Sequence, residues 1–437
     1  MSGQDETPVP LLFLIGETGG GHRSAAAAVA QALDRAWPGR FAPFICDPLQ
    51  GPLAPRRLRW LVALYGPAIR LTPWLWGVLW RAWGSPRALR WLRRTFMAPA
   101  YSSVARVVAA YRPAMIVSFH PMTSEPAVRV RERTAHLLPV VTVITDLITT
   151  HLSWRDAAVD RVIVPSAAIA SRCHQDGMRD GHYVEIGLPV SAEFCRPPAT
   201  LTERSALRRS LGLAEQFLVV VTGGAEGSGG IHRRTAAILR QLHDVNVAVI
   251  CGRNQALRRR LTRLADRAGG RLAVHGFVDN MAEWFRCADI VVGKAGPGTI
   301  AEATCCGAPL VLTSYVPGQE EGNAEYVVQA GAGRYAPRAP DLVSAIRSLR
   351  DDPQALAAMR GASAGLARPS AAADIAALLT SLASDSQCGE PAAPSGRQRH
   401  RPRASRPAQR RRRHRRHRQL VSRRLRRERH HADRTPA

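Results

Sequence analysis

Short apolar segments alternate with helical segments along most of this 437-residue chain, and several of them run directly into glycine-rich loops. Strands separated by helices form parallel sheets with helices on both faces, because a parallel connection must cross back over the sheet. The chain is long enough for two such domains. The pattern predicts an α/β protein with two doubly wound, Rossmann-like sheets. Strands are expected near 11–15, 114–119, 139–145, 161–164 and 183–186 in the first domain, and near 217–221, 246–251, 271–274, 289–292 and 309–312 in the second.

Four loops that follow predicted strands carry the glycines and polar side chains from which a ligand site could be built. In open parallel sheets, ligands bind in the crevice at the carboxyl ends of the strands. Loop 16–24 presents His22, the side-chain type best suited to accept a proton near neutral pH. The three glycines before His22 predict an exposed, flexible helix start facing the space between the domains. The alternative is a helix-capping loop on which His22 is merely solvated.

The second and third loops have the features of anion-binding segments. Residues 222–230 contain five glycines and precede a helix, so the backbone can approach a phosphate at a helix N-terminus. The turn 295–298 precedes another helix and follows Lys294, the only lysine among 61 Lys and Arg residues. A compact ammonium binds differently from a planar guanidinium, which favours a functional role for Lys294. For either loop the alternative is a tight turn without a ligand, with the lysine retained by chance.

The fourth loop, 317–323, follows the last predicted strand and contains Gln319 and Glu320 side by side. Because it lies at the carboxyl end of a strand, its side chains are expected to face the ligand crevice. Amide and carboxylate groups donate to and accept from hydroxyl groups, which favours a sugar ligand over a solvated loop.

Seven short strings in these and neighbouring loops resemble one enzyme family. They are GGGHR at 19–23, TDL at 145–147, VTGGAEGSGG at 221–230, CGRN at 251–254, GFVDNMAEW at 276–284, KAGPGTIAEA at 294–303 and PGQEEGN at 317–323. The chain resembles the monogalactosyldiacylglycerol synthase and processive diacylglycerol glucosyltransferase family, relatives of the lipid-linked N-acetylglucosaminyltransferase of peptidoglycan synthesis. The resemblance covers roughly residues 10–383, and the last two strings are specific.

The resemblance implies a GT-B fold, in which two Rossmann-like domains face a central cleft. It places an N-terminal acceptor domain of the diacylglycerol glycosyltransferase type at 8–190 and a C-terminal UDP-sugar-binding glycosyltransferase domain at 196–383, with a last helix that crosses back to the first domain. The implied activity is an inverting transfer of galactose or glucose from a UDP-sugar to a lipid acceptor such as diacylglycerol, in glycolipid biosynthesis. No metal or other cofactor is expected, because helix N-termini and cations can neutralise the departing UDP.

The resemblance also assigns roles to single residues. His22 is the expected base, and Asp146 and His120 are second candidates that could orient or replace it. Glu302 is expected on the ribose, and the backbone near Phe277 on the uracil. The complete donor site implied by the family is Gly223, Gly224, Gly227, Phe277, Lys294, Gly296, Gly298, Thr299, Glu302, Gln319, Glu320 and Asn323.

Residues 56–96 contain six of the nine tryptophans together with many arginines. Amphipathic helices with aromatic and Arg side chains lie in the headgroup plane of anionic membranes, which predicts a membrane-binding segment here. The alternative is a stripe packed in the domain core. The expected membrane and acceptor contacts are Trp76, Trp80, Trp83, Arg87, Arg90 and Arg94.

The rest of the composition predicts a peripheral protein on the cytoplasmic face of a membrane. No signal peptide precedes the first strand, and no uncharged apolar stretch is long enough to span a bilayer. The eight cysteines form no CxxC pair and no metal-ligand spacing, which favours a reducing compartment.

The net charge of +27 is concentrated at the C-terminus, where residues 391–437 carry 18 Arg against Glu428 and Asp433. With few large apolar residues, the segment 384–437 is predicted to be a disordered tail. Anionic lipid or nucleic acid could bind it, or it has no role. A nucleic-acid-binding protein is therefore one alternative, which the lack of a recognisable nucleic-acid module makes unlikely. A UDP-sugar 2-epimerase of the same fold is the other.

Overall fold

The computed structural model of the chain describes residues 7–17, 20–64, 77–78, 81–82, 85, 87–88, 98–134, 138–155 and 158–388. The strands form two parallel six-stranded sheets, both within one compact unit, so the predicted doubly wound α/β fold is confirmed. Two predicted features lie outside the described residues. They are residues 389–437 of the predicted 384–437 tail and five of the membrane contacts, Trp76, Trp80, Trp83, Arg90 and Arg94. Residues 384–388 were predicted to be disordered, but they continue the last helix.

The first sheet has the strand order β2-β1-β3-β4-β5-β6, and every neighbouring pair is parallel. Its strands are β1 (Val9–Leu14), β2 (Phe41–Cys46), β3 (Met115–Ser118), β4 (Val140–Val143), β5 (Arg161–Val164) and β6 (Tyr183–Glu185). The accompanying helices are α1 (Gly20–Ala36), α2 (Arg56–Ala63), α3 (Ala98–Tyr111), α4 (Ser124–Thr134) and α5 (Ala167–Gln175), with a 3-10 turn at Leu152–Trp154.

The second sheet has the order β12-β11-β10-β7-β8-β9 and is also parallel throughout. Its strands are β7 (Phe217–Thr222), β8 (Val245–Ile250), β9 (Leu272–His275), β10 (Ile290–Lys294), β11 (Leu310–Ser314) and β12 (Gly333–Tyr335). The helices are α6 (Leu201–Ser210), α7 (Ile231–Gln241), α8 (Gln255–Ala265), α9 (Met281–Cys287), α10 (Pro297–Cys305), α11 (Glu321–Gln329), α12 (Ala339–Asp351), α13 (Pro353–Gly365) and α14 (Ala371–Cys388).

The central strands of both sheets are nearly continuous apolar runs, because helices cover both faces of a parallel sheet. Residues 218–221 of β7 and 290–292 of β10 are almost completely buried. Each large aliphatic side chain buried in this way stabilises the fold by about 1.5–3 kcal/mol relative to its exposed state. Among the described helices, none combines the length and apolar character that crossing a bilayer requires.

The strand order reverses once in each sheet, between β1 and β3 in the first and between β7 and β10 in the second. At such a switch point the connections leave in opposite directions, and a ligand crevice forms beyond the carboxyl ends of the two strands. Residues 15–24 and 119–123 follow β1 and β3, whereas residues 223–230 and 295–298 follow β7 and β10. Two candidate bases and the glycine-rich loops therefore lie where open α/β sheets bind ligands.

The last helix, α14, packs against the first sheet. Ile375 and Leu379 of this helix are fully buried in one cluster with Leu11 of β1 and Val29 of α1. The expected crossing of the chain back to the first domain is therefore confirmed. The two halves of the chain are tied together at the linker between β6 and α6 and again through α14.

Candidate functional site

His22 lies in the first turn of α1 and is half-buried. Its ring packs edge-on against the ring of His120, with 4.7 Å between the centroids, and its Nδ1 lies 2.8 Å from Oγ1 of Thr145. Burial lowers the pKa of His22 to about 4, and a hydrogen bond with the backbone of Phe119 opposes this shift. The imidazole is therefore neutral at pH 7 and can accept a proton. The expected exposed position of His22 was wrong, because residues after β3 and β4 pack around the ring.

His120 follows β3 and is almost completely buried beside His22. Gly16 makes room for it, since a Cβ at position 16 would lie 2.6 Å from Cδ2 of His120. The backbone N–H of Met122 donates to Nδ1 of His120 at 3.2 Å. Burial, together with the neighbouring His22, holds the pKa of His120 well below its usual range. Both imidazoles are therefore neutral at pH 7, and the ring of His120 packs against that of His22.

Asp146 follows β4 and contacts residues from both halves of the chain. Its Oδ2 accepts a hydrogen bond from Nε1 of Trp154 at 2.6 Å, and its Oδ1 accepts from Nε2 of Gln319 at 3.3 Å. Burial raises the pKa of Asp146 to about 7, although these two hydrogen bonds act in the opposite direction. The carboxyl group therefore exchanges a proton near neutral pH. In this structure its partners are Trp154 and Gln319, whereas His22 is held by Thr145.

A cavity of about 660 Å³ opens between residues 227–233, the start of α8 and residues 314–317. Gly227 has a φ of +56°, and a Cβ there would lie 2.2 Å from the carbonyl oxygen of Cys251, so only glycine fits. The helix α7 begins beside the cavity and has no acidic residue in its first turn, so its N-terminus favours an anion. Arg233 and Arg260 also line the cavity. Its size and charge suit an anionic ligand such as a nucleotide sugar.

Lys294 lines the same cavity and forms an ion pair with Oε1 of Glu320. The Oε2 of Glu320 accepts a hydrogen bond from the backbone N–H of Val316 at 2.9 Å, and this side chain is only 4% exposed. The fully buried Asn323 donates from Nδ2 to the carbonyl oxygen of Ala295 at 2.9 Å. Glu320 and Asn323 therefore anchor the loop after β11 to the end of β10 and to the turn that follows it.

The helix α10 starts at the second switch point, with Gly296 as its N-cap. Gly298 and Thr299 lie in its first turn, which contains no acidic residue. Glu302 follows one turn later and is half-buried. Burial and the nearby charge of Glu193 raise the pKa of Glu302 to about 8, so this carboxyl group is largely protonated at pH 7. The N-termini of α7 and α10 both lie beyond the carboxyl ends of neighbouring parallel strands, β7 and β10.

Phe277 lies just beyond β9, and its side chain is 56% exposed. The guanidinium carbon of Arg253 lies 5.2 Å from the centroid of the Phe277 ring, and Arg253 also approaches Glu226 at 3.7 Å. An exposed ring at the carboxyl end of a strand provides an apolar face that a planar ligand can contact.

The loop before α11 contacts the segment after β4. Besides the hydrogen bond from Gln319 to Asp146, the backbone N–H of Gly322 donates to Oγ1 of Thr149 at 3.2 Å. The neighbouring Glu321 forms an ion pair with Arg81 at 3.1 Å. These contacts form a seam that joins the cavity of the second sheet to the histidines of the first.

The structure thus brings the predicted residues into two groups joined by this seam. His22, His120 and Asp146 form one group, and the residues of the second switch point form the other. Arg87 is exposed and is the one predicted membrane contact that the structure describes. No group of three or more His, Cys, Asp or Glu side chains arranged to hold a metal occurs in the described part of the chain.

Two residues of the site, Thr145 and Trp154, were not predicted. Trp154 is fully buried, its ring lies 6.0 Å from that of His22, and it donates to Asp146. Thr145 belongs to the TDL string, which follows the buried strand β4. A hydroxyl group next to a carboxylate at the end of such a strand is a sequence signal that could have identified Thr145 as a site residue. The local sequence does not mark Trp154, because its partners come from other loops.

Two family models match successive parts of the chain. The monogalactosyldiacylglycerol (MGDG) synthase model matches residues 22–190, which include His22, His120 and Asp146. The model of the glycosyltransferase family 28 C-terminal domain matches residues 218–376, which include Lys294 and Glu320.

Curated plant relatives are similar over both halves of the chain. Monogalactosyldiacylglycerol synthase 1 of Arabidopsis thaliana is 34% identical over 355 residues, which cover 78% of this chain and 64% of the relative. A probable monogalactosyldiacylglycerol synthase 2 of Oryza sativa subsp. indica is 34% identical over 340 residues, which cover 75% of this chain and 70% of the relative. The chain thus spans less than two thirds of the length of the Arabidopsis relative.

Solved structures with the same fold include MurG of Acinetobacter baumannii, with a TM-score of 0.56 at 17% identity, over 86% of this chain and 100% of that chain. HepE of Anabaena, in complex with UDP and glucose, has a TM-score of 0.53 at 17% identity, and the match covers 85% of this chain and 99% of HepE. The UDP-GlcNAc 2-epimerase of Neisseria meningitidis, bound to UDP-GlcNAc, has a TM-score of 0.56 at 12% identity, and the match covers 86% of this chain and 100% of the epimerase. These similarities confirm the predicted GT-B architecture, and the sequence identity to the plant relatives adds the family. The chain belongs to the monogalactosyldiacylglycerol synthase family.

Proposed function

We propose that the protein is a membrane-associated inverting glycosyltransferase. It would transfer a hexose, galactose or glucose, from a UDP-sugar to a lipid alcohol such as diacylglycerol, in glycolipid biosynthesis. The proposal rests above all on the contact between Asp146 and Gln319, because it brings the segment after β4 of the first sheet against the loop after β11 of the second. Membership of a galactolipid synthase family supports the lipid acceptor.

We assign the donor to the second sheet. The diphosphate would lie at the N-termini of α7 and α10, where free backbone N–H groups and the helix dipoles favour an anion. Lys294 would add positive charge beside it, oriented by Glu320. Glu302 would hold the ribose hydroxyls, and the uracil would lie near Phe277. Gln319 would leave Asp146 to contact a hydroxyl group of the sugar.

We assign proton removal to His22. The acceptor oxygen would attack the anomeric carbon from the face opposite UDP, so a carbon–oxygen bond forms while the bond to the UDP oxygen breaks. The acceptor proton would go to the imidazole, and UDP would depart as an anion. A single displacement of this kind inverts the anomeric configuration. Burial keeps the His22 ring neutral at pH 7, so it has an unprotonated nitrogen that can accept the proton.

We further propose that the reaction needs no metal ion, because two helix N-termini and Lys294 can stabilise the charge that develops on the departing UDP. Turnover should then persist in excess EDTA. We also propose attachment to the cytoplasmic face of an anionic membrane through the segment that contains the exposed Arg87.

A direct test is incubation of the purified protein with UDP-galactose or UDP-glucose and diacylglycerol in anionic liposomes, followed by mass analysis of the lipids. A hexosyl-diacylglycerol with inverted anomeric configuration is expected, and its formation should be strongly reduced with the His22→Ala variant. A soluble sugar epimerised at C2, formed without any glycolipid, would identify an epimerase instead. Tight nucleic-acid binding without turnover of either donor would favour the nucleic-acid alternative.

A further inference from the structure

We propose that Thr145 is a positioning residue for His22. Its hydroxyl group would accept a hydrogen bond from Nδ1–H, fix the orientation of the imidazole, and stay bound when Nε2 takes up the acceptor proton. This inference rests on the proposed role of His22 as the base.

The geometry places Thr145 beside His22 through the architecture of the first sheet. Thr145 follows β4 by two residues and is only 6% exposed, and its Oγ1 lies 2.8 Å from Nδ1 of His22. The preceding residue, Ile144, is still held by the sheet through its backbone N–H, which donates to the carbonyl oxygen of Ile163 at 2.9 Å. The hydroxyl is therefore presented from a fixed backbone, as a positioning group requires.

Thr145 and Asp146 are neighbours in the segment after β4, but their side chains form hydrogen bonds with different residues. Thr145 contacts His22, whereas Asp146 contacts Trp154 and Gln319. Trp154 and His120 pack their rings against the ring of His22. The hydroxyl group of Thr145 forms a hydrogen bond with Nδ1 of His22.

A hydroxyl group suits this position for a chemical reason. Its oxygen accepts from Nδ1–H, and Nδ1 stays protonated while Nε2 takes up the acceptor proton, so the contact survives proton transfer. A carboxylate in the same place would favour the imidazolium form and raise the pKa of His22. Threonine therefore holds the ring without keeping it charged, which leaves it free to act as a base at neutral pH.

The test compares Thr145→Val, which removes the hydroxyl group at nearly constant volume, with Thr145→Ser, which keeps it. We expect Thr145→Val to lower kcat on the order of 10- to 100-fold with an unchanged KM for the UDP-sugar, and Thr145→Ser to recover most of the loss. Thr142→Val is the matched control. Thr142 is a fully buried threonine of β4 that donates to Ser124, and its replacement should leave kcat within about twofold.

A double-mutant comparison separates positioning from general damage. If Thr145 acts through His22, adding Thr145→Val to His22→Ala should change kcat little, because the group it positions is already gone. Independent, multiplicative losses would overturn the proposal. So would a fall in kcat for Thr142→Val as large as that for Thr145→Val.

A readout without turnover keeps this inference distinct from the proposed function. Nitrogen NMR of the His22 ring should show one dominant tautomer in the wild type and in Thr145→Ser, and a mixture or altered Nδ1 shift in Thr145→Val. Identical ring spectra in all three proteins would overturn the inference. Failure of the wild type to glycosylate any lipid would overturn the proposed function, while the ring spectra still decide whether Thr145 holds His22.

Discussion

Lys294 and Glu320 form an ion pair, although they belong to different segments and are 26 residues apart in the sequence. Lys294 ends β10 at the donor cavity, and Glu320 comes from the loop after β11. The pair therefore connects the residue proposed to meet the diphosphate with the loop that carries Gln319.

Replacing Lys294 with Ala should weaken UDP binding, measured by calorimetric titration. Lys294→Arg should not restore it fully, because a planar guanidinium does not reproduce the compact ammonium. Lys294→Ala should also lower the free energy of unfolding on the order of 1–3 kcal/mol, since it leaves the buried Glu320 unpaired. The double variant Lys294→Ala/Glu320→Gln is the control, expected to regain stability without regaining UDP affinity. Unchanged UDP affinity in folded Lys294→Ala protein would contradict the assignment.

Replacing His22 with Ala should lower turnover by about two to four orders of magnitude, the range typical for the loss of a general base. UDP affinity should stay close to that of the wild type, because His22 lies outside the donor cavity. His174→Ala, a change at a 71% exposed histidine on α5, is the matched control and should leave turnover intact. Near-native turnover of His22→Ala would move the role of base to Asp146 or His120.

The stability of the protein should depend on pH through Asp146. Its pKa is raised from 3.8 to about 7, so the folded chain favours the protonated carboxyl group. The folded chain then binds more protons than the unfolded chain between these values, and the contribution of Asp146 to stability falls as the pH rises through them. The free energy of unfolding of the Asp146→Asn variant, relative to that of the wild type, should therefore be higher at pH 8 than at pH 5.

Chemical denaturation at the two pH values measures this difference. Asp180→Asn, at an 89% exposed carboxylate, is the control and should show no such change between pH 5 and pH 8. If Asp146→Asn changes the free energy of unfolding equally at pH 5 and pH 8, the carboxyl group of Asp146 does not titrate in this range.

Replacing Trp76, Trp80 and Trp83 together with Ser should abolish binding to anionic liposomes and turnover on membranes. Turnover of a detergent-dispersed acceptor should fall less, because the donor site and His22 are unchanged. Arg87, Arg90 and Arg94 are each expected to add about 1 kcal/mol near anionic lipid.

Leu201→Ser is the control for this triple variant, because Leu201 is 78% exposed on α6 and lies outside residues 56–96. Unfolding of the triple variant, seen by circular dichroism, would show that its tryptophans belong to the core. A folded variant that still binds liposomes as tightly would point to the arginine-rich tail.

The fold was predictable because ten of the strands are apolar runs bounded by loops, and parallel strands buried on both faces have this pattern. The two strands that were missed, β2 and β12, lie at sheet edges. β2 contains Pro43 and is mostly half-buried, and proline in a sheet is confined to such edges. β12 has only three residues, too few for a periodic pattern.

The candidate site was predictable where glycines and charged residues cluster after a strand, as around Lys294. The hydrogen-bond and ion-pair partners of these residues were not predictable, because the packing of segments that are distant in the sequence determines them. No signal in the local sequence indicates that the buried Glu320 pairs with Lys294. Likewise, no local signal indicates that the carboxyl group of Asp146 accepts hydrogen bonds from Trp154 and Gln319. Thr145 and His22 are 123 residues apart, and only the order of β1, β3 and β4 in the sheet brings them together.

The return of α14 to the first sheet has a consequence for the way the protein is made. Ribosomal synthesis completes β1–β6 early, but Leu11 and Val29 gain Ile375 and Leu379 as neighbours only after α14 has been translated. The core of the first sheet is therefore completed after the second sheet has been synthesised, although domains usually complete their cores in N-terminal-first order. A fragment ending at residue 190 would lack these contacts, so we expect it to be less stable than the same residues in the full chain.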